Sequence, residues 1–566
     1  MRKVLYVPLD DRPVNLDDVI TQGEAAGIRV VTPPARDVRN RMDTEAAASG
    51  STLLATHSPV FGKPKFIRQF ILDHAADVDG FILSADMLVY GGLIGSRRLR
   101  DEPAGVYPDY DPAATHMLDV IRHIKQAYPH KPIFVLDTIM RMAANTFVEG
   151  TTLDIYNETR SFAQQPRKEA ADLAGVLGSY DVKPDGSRFE ATVTFDKTHY
   201  YHARRHKLQT NVYILEQLAR SGYIDFLAIG VDDSYIQGIQ ANEIALAERC
   251  IDEWLGGTGG HNPERAILLP EADGLGHSLL ARMADRLHRR GRRTAYAIRY
   301  YGPHGSTIIN AYEYMSLHDN LLRHIDIVGG QCETQTPDAE ILVITSASQA
   351  AGAVSQLEAN GLGRIPTLVI DCTGFVADKT VSEALLGTPY TGMLLGYSSW
   401  NTYGNRIGLA LGMAHARYAY LTTETRPSSL AAAVNAHGSL LFKRFLKDYF
   451  YKVLAIAEVR AYSNAHALYT NVTANQHMRL FNAPADYAYL VELLRDRMQT
   501  HTRALAASHA FGIGTAGASA AVRRICADEW EVAEYAGASL EPDNPDFIWG
   551  RAFEITLAPQ VSCSRR

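Results

Sequence analysis

The chain has 566 residues, with 56 Lys+Arg against 63 Asp+Glu, a net charge of −7, and 46% hydrophobic and 21% charged residues. That balance excludes an intrinsically disordered chain, which would be poorer in apolar residues and more one-sided in charge. The mild acidity also excludes the broad basic footprint that nucleic-acid phosphates require.

Met1-Arg2-Lys3 leads directly into an apolar run at 4–7, without an apolar segment of signal-peptide length. No run approaches the roughly 18 uncharged apolar residues of a membrane span. A soluble, cytoplasmic protein with no membrane partner is therefore expected. Short apolar runs at 4–7, 28–31, 80–83, 133–136, 224–230, 266–269, 294–298, 341–344, 367–370 and 393–395 predict strands. Several lack polar alternation, as strands covered on both faces do. Helical periodicity lies between them at 64–76, 114–127, 207–220, 242–254 and 277–290. Strand and helix in alternation predict an α/β fold. We read it as a (β/α)8 TIM-like barrel with extra strands, the alternative being a doubly wound sheet or a pair of them.

After about residue 427 the pattern changes. Segments 429–457, 487–508 and 519–534 read as amphipathic helices, 464–475 as a loop, and 562–566 as a frayed end. The predicted organisation is a barrel-like catalytic domain over 1–426 and a mainly helical region over 427–566. The latter would supply a dimer surface in a homo-oligomer or close the barrel. The five cysteines, Cys250, Cys332, Cys372, Cys526 and Cys563, include no CxxC pair, so no disulfide framework or zinc site of ordinary spacing is expected.

Many of the apolar runs end in carboxylates. The run at 4–7 leads to Asp10-Asp11-Arg12, that at 80–83 to Asp86 and Tyr90, and that at 133–136 to Asp137 and then Arg141. Later runs end in Asp232-Asp233-Ser234-Tyr235, Glu271-Ala272-Asp273, Arg299-Tyr300-Tyr301, Asp371, and Ser399-Trp400-Asn401. A single Asp after a strand is commonly a turn residue or helix cap. Recurrence at many strand ends describes an acidic, hydroxyl- and aromatic-bearing mouth, at the end of the sheet where parallel α/β folds bind ligands. Such a mouth suits sugars, and it also suits divalent metals. In Asp232-Asp233, neighbouring carboxylates push their pKa values apart, so one can stay anionic while the other holds a proton. The plain alternative is a helix cap beside a solvated Asp. Trp400 reads either as a platform for a sugar ring or as ordinary core. His199, His202 and His206 form an incomplete metal motif crowded by Arg204 and Arg205, so no metal and no cofactor is assigned.

Five blocks together resemble the bacterial domain-of-unknown-function family 4127. They are Pro8-Leu9-Asp10-Asp11-Arg12-Pro13-Val14-Asn15, Asp86 to Leu93 with Ser96-Arg97, Tyr156-Asn157 before Arg160, Asp232-Asp233, and Trp400-Asn401-Thr402 with Gly404-Asn405. Where that family more usually carries Gly-Ala-Asp-Glu, this chain has Pro270-Glu271-Ala272-Asp273-Gly274. The resemblance implies relatives among bacterial β-N-acetylgalactosaminidases on barrel-type folds. The acidic pair is similar to that of substrate-assisted β-N-acetylhexosaminidases, in which the 2-acetamido oxygen attacks the anomeric carbon.

On that basis the expected function is retaining hydrolysis of terminal β-linked N-acetylhexosamine, in particular N-acetylgalactosamine, through an oxazolinium intermediate. Asp232 would orient the acetamido N–H and Asp233 would be the general acid/base. Tyr235, Tyr300 or Tyr301 would hold the acetamido oxygen. Asp10, Asp11, Arg12 and Asp86 would bind hydroxyls, and Trp400 would lie under the ring. Tyr90, Asp137, Asn157, Asp371 and Asn401 complete the expected substrate-binding set. The rivals are a metal-dependent phosphoesterase or deacetylase using the same carboxylates, and a non-catalytic carbohydrate-binding protein. The missing basic patch suits a neutral, polyhydroxylated substrate.

Overall fold

Side chains on successive strand residues point to opposite faces, and here both faces are covered. The computed structural model describes residues 1–40, 60–145, 153–189, 193–288, 292–466, 484–515, 519–526, 529–549 and 551–565. The first sheet contains β1 (Arg2–Val7), β2 (Ile28–Val31), β3 (Gly80–Ser84), β4 (Ile133–Ile139), β5 (Phe226–Val231), β6 (His261–Asn262) and β7 (Ala266–Leu269). Its order is β2-β1-β3-β4-β5-β7-β6, parallel except for the antiparallel edge strand β6. The second sheet contains β8 (Ala295–Tyr301), β9 (Gln331–Cys332), β10 (Ala339–Ile344), β11 (Thr367–Asp371) and β12 (Gly396–Ser398), in the order β12-β11-β10-β8-β9. All of its pairings are parallel.

The fold is thus mixed α/β with parallel sheets. Among the described residues the strands pair as two sheets, and no pairing closes them into a ring. The core explains this layering. Val4, Tyr6, Leu136 and Leu269 of the first sheet share one apolar cluster with Ile341, Val343 and Ile370 of the second. Between them lie Leu279 and Leu280 of helix Leu275–His288 and Ile407 and Leu411 of helix Tyr403–Leu421. The alternate residues Leu5, Val7, Val135 and Ile229 face the opposite side and pack on an outer helical layer.

The two central helices cross at close range. A Cβ on Gly408 would lie 2.9 Å from the Gly274 Cα, and one on Gly404 would lie 2.2 Å from the Pro270 carbonyl oxygen. The small residues at this crossing let the end of β12 approach the end of β7.

The C-terminal part begins with helix Pro427–Phe445, continues through a wider, π-type stretch (Leu446–Ala455) into Ile456–Ala465, and includes helix Pro484–Ala507. Segment 519–534 is not the helix its sequence suggested. It forms β13 (Ala520–Ile525) and the start of β14 (Trp530–Leu540), which pairs in turn with β17 (Pro559–Arg565). In β13 the leading residues Ala520, Ala521 and Val522 are all buried, and β14 begins with the strand-favouring Trp530 and Val532, so sheet packing overrides an ambiguous pattern. The same sheet orders the C-terminal strand through Arg565, where fraying was expected. The run at 393–395 precedes its strand, because Pro389–Met393 winds as a 3-10 turn and pairing starts at Gly396. Most of the expected loop at 464–475 lies outside the described residues. β15 (Asp546–Ile548) and β16 (Arg551–Thr556) form a separate antiparallel hairpin.

Candidate functional site

The carboxyl ends of strands from both parallel sheets converge on one cavity. It encloses about 1050 Å³ of non-protein space including its open mouth. Its wall is built from Arg12 after β1, Arg97 after β3, Arg141 after β4, Asp232 and Asp233 after β5, and Glu271 and Asp273 after β7. The second sheet contributes Tyr312 and Glu313 after β8, Phe375 after β11, and Asn401 and Asn405 after β12. The C-terminal hairpin adds Trp549, Arg551 and Phe553. Asp233, Asn401 and Trp549, three of the five described non-glycine residues with positive φ, all line this cavity. Such conformations cost on the order of 1–3 kcal/mol each and persist where surrounding structure enforces them.

Asp232 and Asp233 enter the same space because the chain bends after β5, with Asp233 at φ 37°. Asp232 is buried and ion-paired to the Arg97 guanidinium. Burial raises its pKa to about 6, with Asp233 adding to the rise and Arg97 opposing it. Asp233 is more open, its side chain 28% exposed, with Arg141 Nη1 3.5 Å from its carboxylate. Arg141 is itself fixed by the carbonyl oxygens of Ala143 and Ala144, which accept from Nε and Nη2 at 3.1 and 2.8 Å, and it lies over the Tyr156 ring. Burial, with Asp233 adding to it, pushes the Tyr156 phenol up to about 12, so it is a neutral hydrogen-bond donor.

The Asp10-Asp11-Arg12 block works in layers. Asp10 is fully buried and accepts from Arg12 Nε at 3.0 Å and Nη2 at 2.7 Å, aiming the guanidinium at the cavity. Asp273 accepts from Arg12 on the other side, and Asn15 donates to both Asp10 and Asp273. Asp11 accepts from Trp549 Nε1 at 3.1 Å, and burial beside Asp10 raises its pKa to about 7. Of the block, Arg12 alone lines the cavity, with Asp10 and Asp11 one contact behind it.

Glu271 and Glu313 form a second acidic wall. Glu271 accepts from the backbone N–H groups of Ala272 and Gly274, both at 2.7 Å, and burial raises its pKa well above the carboxylate range. Its other oxygen lies 3.6 Å from Nε2 of the buried His324, whose pKa burial lowers to about 3. Glu313 accepts from the Gly404 N–H at 2.7 Å, and burial raises its pKa to about 7. Burial therefore shifts both acids of this wall toward their protonated forms.

The other strand-end residues go elsewhere. Asp86 and Asp137 are buried around Lys207, whose Nζ lies 2.8 and 2.6 Å from them. Thr138 donates to Asp86, and Asn211 donates to Asp137 at 2.6 Å. Burial pushes Asp137 up. Burial also pushes the Lys207 ammonium down, but the two aspartates more than offset that. Tyr90 is bonded to His206 and Thr210. Asn157 is exposed, while its neighbour Tyr156 lines the cavity. Tyr235 packs against the outer core of the first sheet and Tyr301 against that of the second. The Tyr300 hydroxyl lies 2.8 Å from His318 Nδ1. Asp371 is buried and accepts from the Thr373 N–H and hydroxyl. Trp400 is buried against Val14, Leu409 and Phe553, so it braces the cavity residue Phe553. His206 is held by Tyr90 and Asp111, and His202 by the Arg100 carbonyl. Among the described residues no group of three or more His, Cys, Asp or Glu side chains is arranged to hold a metal ion.

Sequence reading had not assigned Arg97, Arg141, Tyr156, Tyr312, Glu313, Trp549, Arg551 or Phe553 to the site. Arg97 and Tyr156 stand inside the resembling blocks. For the hairpin the available signal was the aromatic and basic alternation from Phe547 to Phe553.

Residues 4–558 match a family model described as protein of unknown function (DUF4127). The chain belongs to that family. No curated protein and no solved structure matches it. The described chain has no helix long and apolar enough to cross a membrane.

Proposed function

We propose that this family member is a glycoside hydrolase acting on terminal β-linked N-acetylhexosamine, in particular N-acetylgalactosamine, with retention through substrate assistance. The observation that carries the reading is the pair of adjacent carboxylates with unlike surroundings. Asp232 is buried on Arg97, and Asp233 is half-open beside Arg141, in one small-molecule cavity. A substrate-assisted hydrolase needs that division between a fixed orienting carboxylate and a proton donor that reaches the leaving group.

In this reading the acetamido carbonyl oxygen attacks C1. The C1–O bond to the aglycone breaks as Asp233 passes its proton to the departing oxygen. Asp232 accepts the acetamido N–H and balances the oxazolinium charge. Asp233 then takes a proton from the water that attacks C1, which restores the acetamido group and releases a sugar of retained configuration. Tyr156 is the tyrosine we assign to the acetamido oxygen, because it lines the cavity next to Asp233 and carries a neutral phenol. Tyr312, Phe375 and Phe553 offer apolar walls for the ring face.

A panel of p-nitrophenyl glycosides tests the proposal. Cleavage of 2-acetamido sugars, with strong inhibition by a thiazoline analogue of the bound intermediate, is expected. Cleavage confined to sugars without the acetamido group, or indifference to the thiazoline, would overturn it. Activity on phosphate esters or acetamides alone, abolished by a chelator, would point to metal-dependent hydrolysis instead.

A further inference from the structure

Four arginines line the cavity, and three are answered by protein carboxylates. Arg12 is clasped by Asp10 and Asp273, Arg97 by Asp232, and Arg141 lies 3.5 Å from Asp233. Arg551 differs. Among the described residues no carboxylate stands at ion-pair distance from it and no protein acceptor takes its N–H groups. Its guanidinium lies 4.8 Å from the centre of the Trp549 ring, which Arg12 also approaches at 5.4 Å and which Asp11 anchors through Nε1. The side chain is therefore positioned by stacking, and its five donors are left for whatever enters the cavity. Enclosure, together with the nearby Arg12, Arg141 and Arg97 and against the opposing Asp10, lowers its pKa to about 9, so it is still charged at neutral pH. Glu271 and Glu313 line the same cavity, and burial favours the protonated form of both. A half-buried cation with no protein partner is costly. One that faces a ligand cavity in a fixed orientation is a binding group for an anion.

We infer that Arg551 forms an oxyanion subsite, so that the substrate is an anionic amino-sugar glycoside carrying a sulfate ester, phosphate or carboxylate on the N-acetylhexosamine or on the residue it is linked to. This inference rests on the glycosidase reading for the identity of the sugar, whereas the anion site itself rests on Arg551 and its neighbours. The anionic group lies between the Arg551 donors and stays covalently unchanged. Its contribution is affinity and orientation of the sugar relative to Asp233.

The test compares kcat/KM for p-nitrophenyl 2-acetamido-2-deoxy-β-galactoside with that of its 4-sulfate, its 6-sulfate and its 6-phosphate, and for a disaccharide with a hexuronate aglycone. Together these arms distinguish the source of the anion. At least one anionic substrate is expected to exceed the neutral one by about tenfold to a hundredfold, the scale of a charge-assisted contact. Arg551→Gln should bring that ratio to about one, and Arg551→Lys, which keeps the charge but not the planar fork, should retain part of it. Inorganic sulfate should bind the wild type in calorimetry and bind Arg551→Gln at least about tenfold more weakly. A neutral substrate handled as well as every anionic one, or a ratio and sulfate affinity unchanged in both variants, overturns the inference. If no glycoside is cleaved, the glycosidase reading fails, and sulfate binding by wild type against the Arg551 variants still decides the anion site.

Discussion

Two groups of strand-end carboxylates look alike in sequence and differ in what surrounds them. Asp86 and Asp137 follow β3 and β4 and are saturated from within by Lys207, Thr138 and Asn211. Asp232 and Asp233 follow the neighbouring strand β5 and face open space, with an arginine behind each. The first group is a closed ionic knot that ties helix Lys197–Tyr213 to the sheet. The second is an incomplete one, and in the proposed function a ligand supplies its missing partners. A carboxylate at a strand end is therefore a candidate by position, and becomes a site residue only if its hydrogen-bonding capacity is not used up internally.

The comparison can be broken by substitution. Lys207→Met leaves two buried carboxylates without their cation, and should cost about 3–5 kcal/mol in denaturant unfolding. A cost below about 1 kcal/mol would show that the knot is solvated. Gly408→Val forces apart the crossing that brings β12 and β7 together, with an expected loss of about 1–3 kcal/mol. Turnover should fall with it, because Asn405 and Glu271 sit on either side of that contact.

Titration sharpens the contrast. In the proposed mechanism Asp232 must be ionised to hold the acetamido N–H, and burial raises its pKa to about 6. Accordingly kcat/KM should fall as pH drops below about 6. Removing the opposing charge with Arg97→Gln should move that limb upward by roughly 1–2 pH units, and an unmoved limb would assign it to another group. Glu271 is read in stability rather than in turnover. Its folded pKa is raised by burial, so its contribution to stability is full below the unfolded carboxyl value. That contribution is then lost by up to about 1.4 kcal/mol per pH unit as pH rises toward the folded value. Glu271→Gln should flatten this decline in a series of unfolding curves from pH 5 to 8.

The sheet framework was readable because covered strands carry continuous apolar runs. Val4 to Val7 and Ile133 to Leu136 have no polar alternation to confuse with a helix. The pairing of the strands as two sheets was less readable, since the layering depends on which helices lie between the sheets, and Ile407 or Leu411 would suit any apolar neighbour. The C-terminal strands were misread where Arg523 and Arg524 interrupt the alternation of β13. At the site, the local signal was the run of acids after β5. Arg551 and Phe553 could not be found in this way, because they reach the cavity through a hairpin more than three hundred residues away in sequence. The sequence has no basic patch, which suited a neutral substrate. Folding gathers four arginines around the cavity, where burial raises the pKa of Glu271 and Glu313.

The central claim is that the open pair after β5 does chemistry while the closed one after β3 and β4 holds the fold. Its most direct test is turnover of p-nitrophenyl 2-acetamido-2-deoxy-β-galactoside by Asp233→Asn, with thermal unfolding measured on the same sample. The account predicts a folded protein with an unfolding temperature close to that of the wild type and a rate lower by about 10²–10⁴-fold. A folded variant that keeps the full wild-type rate would contradict it.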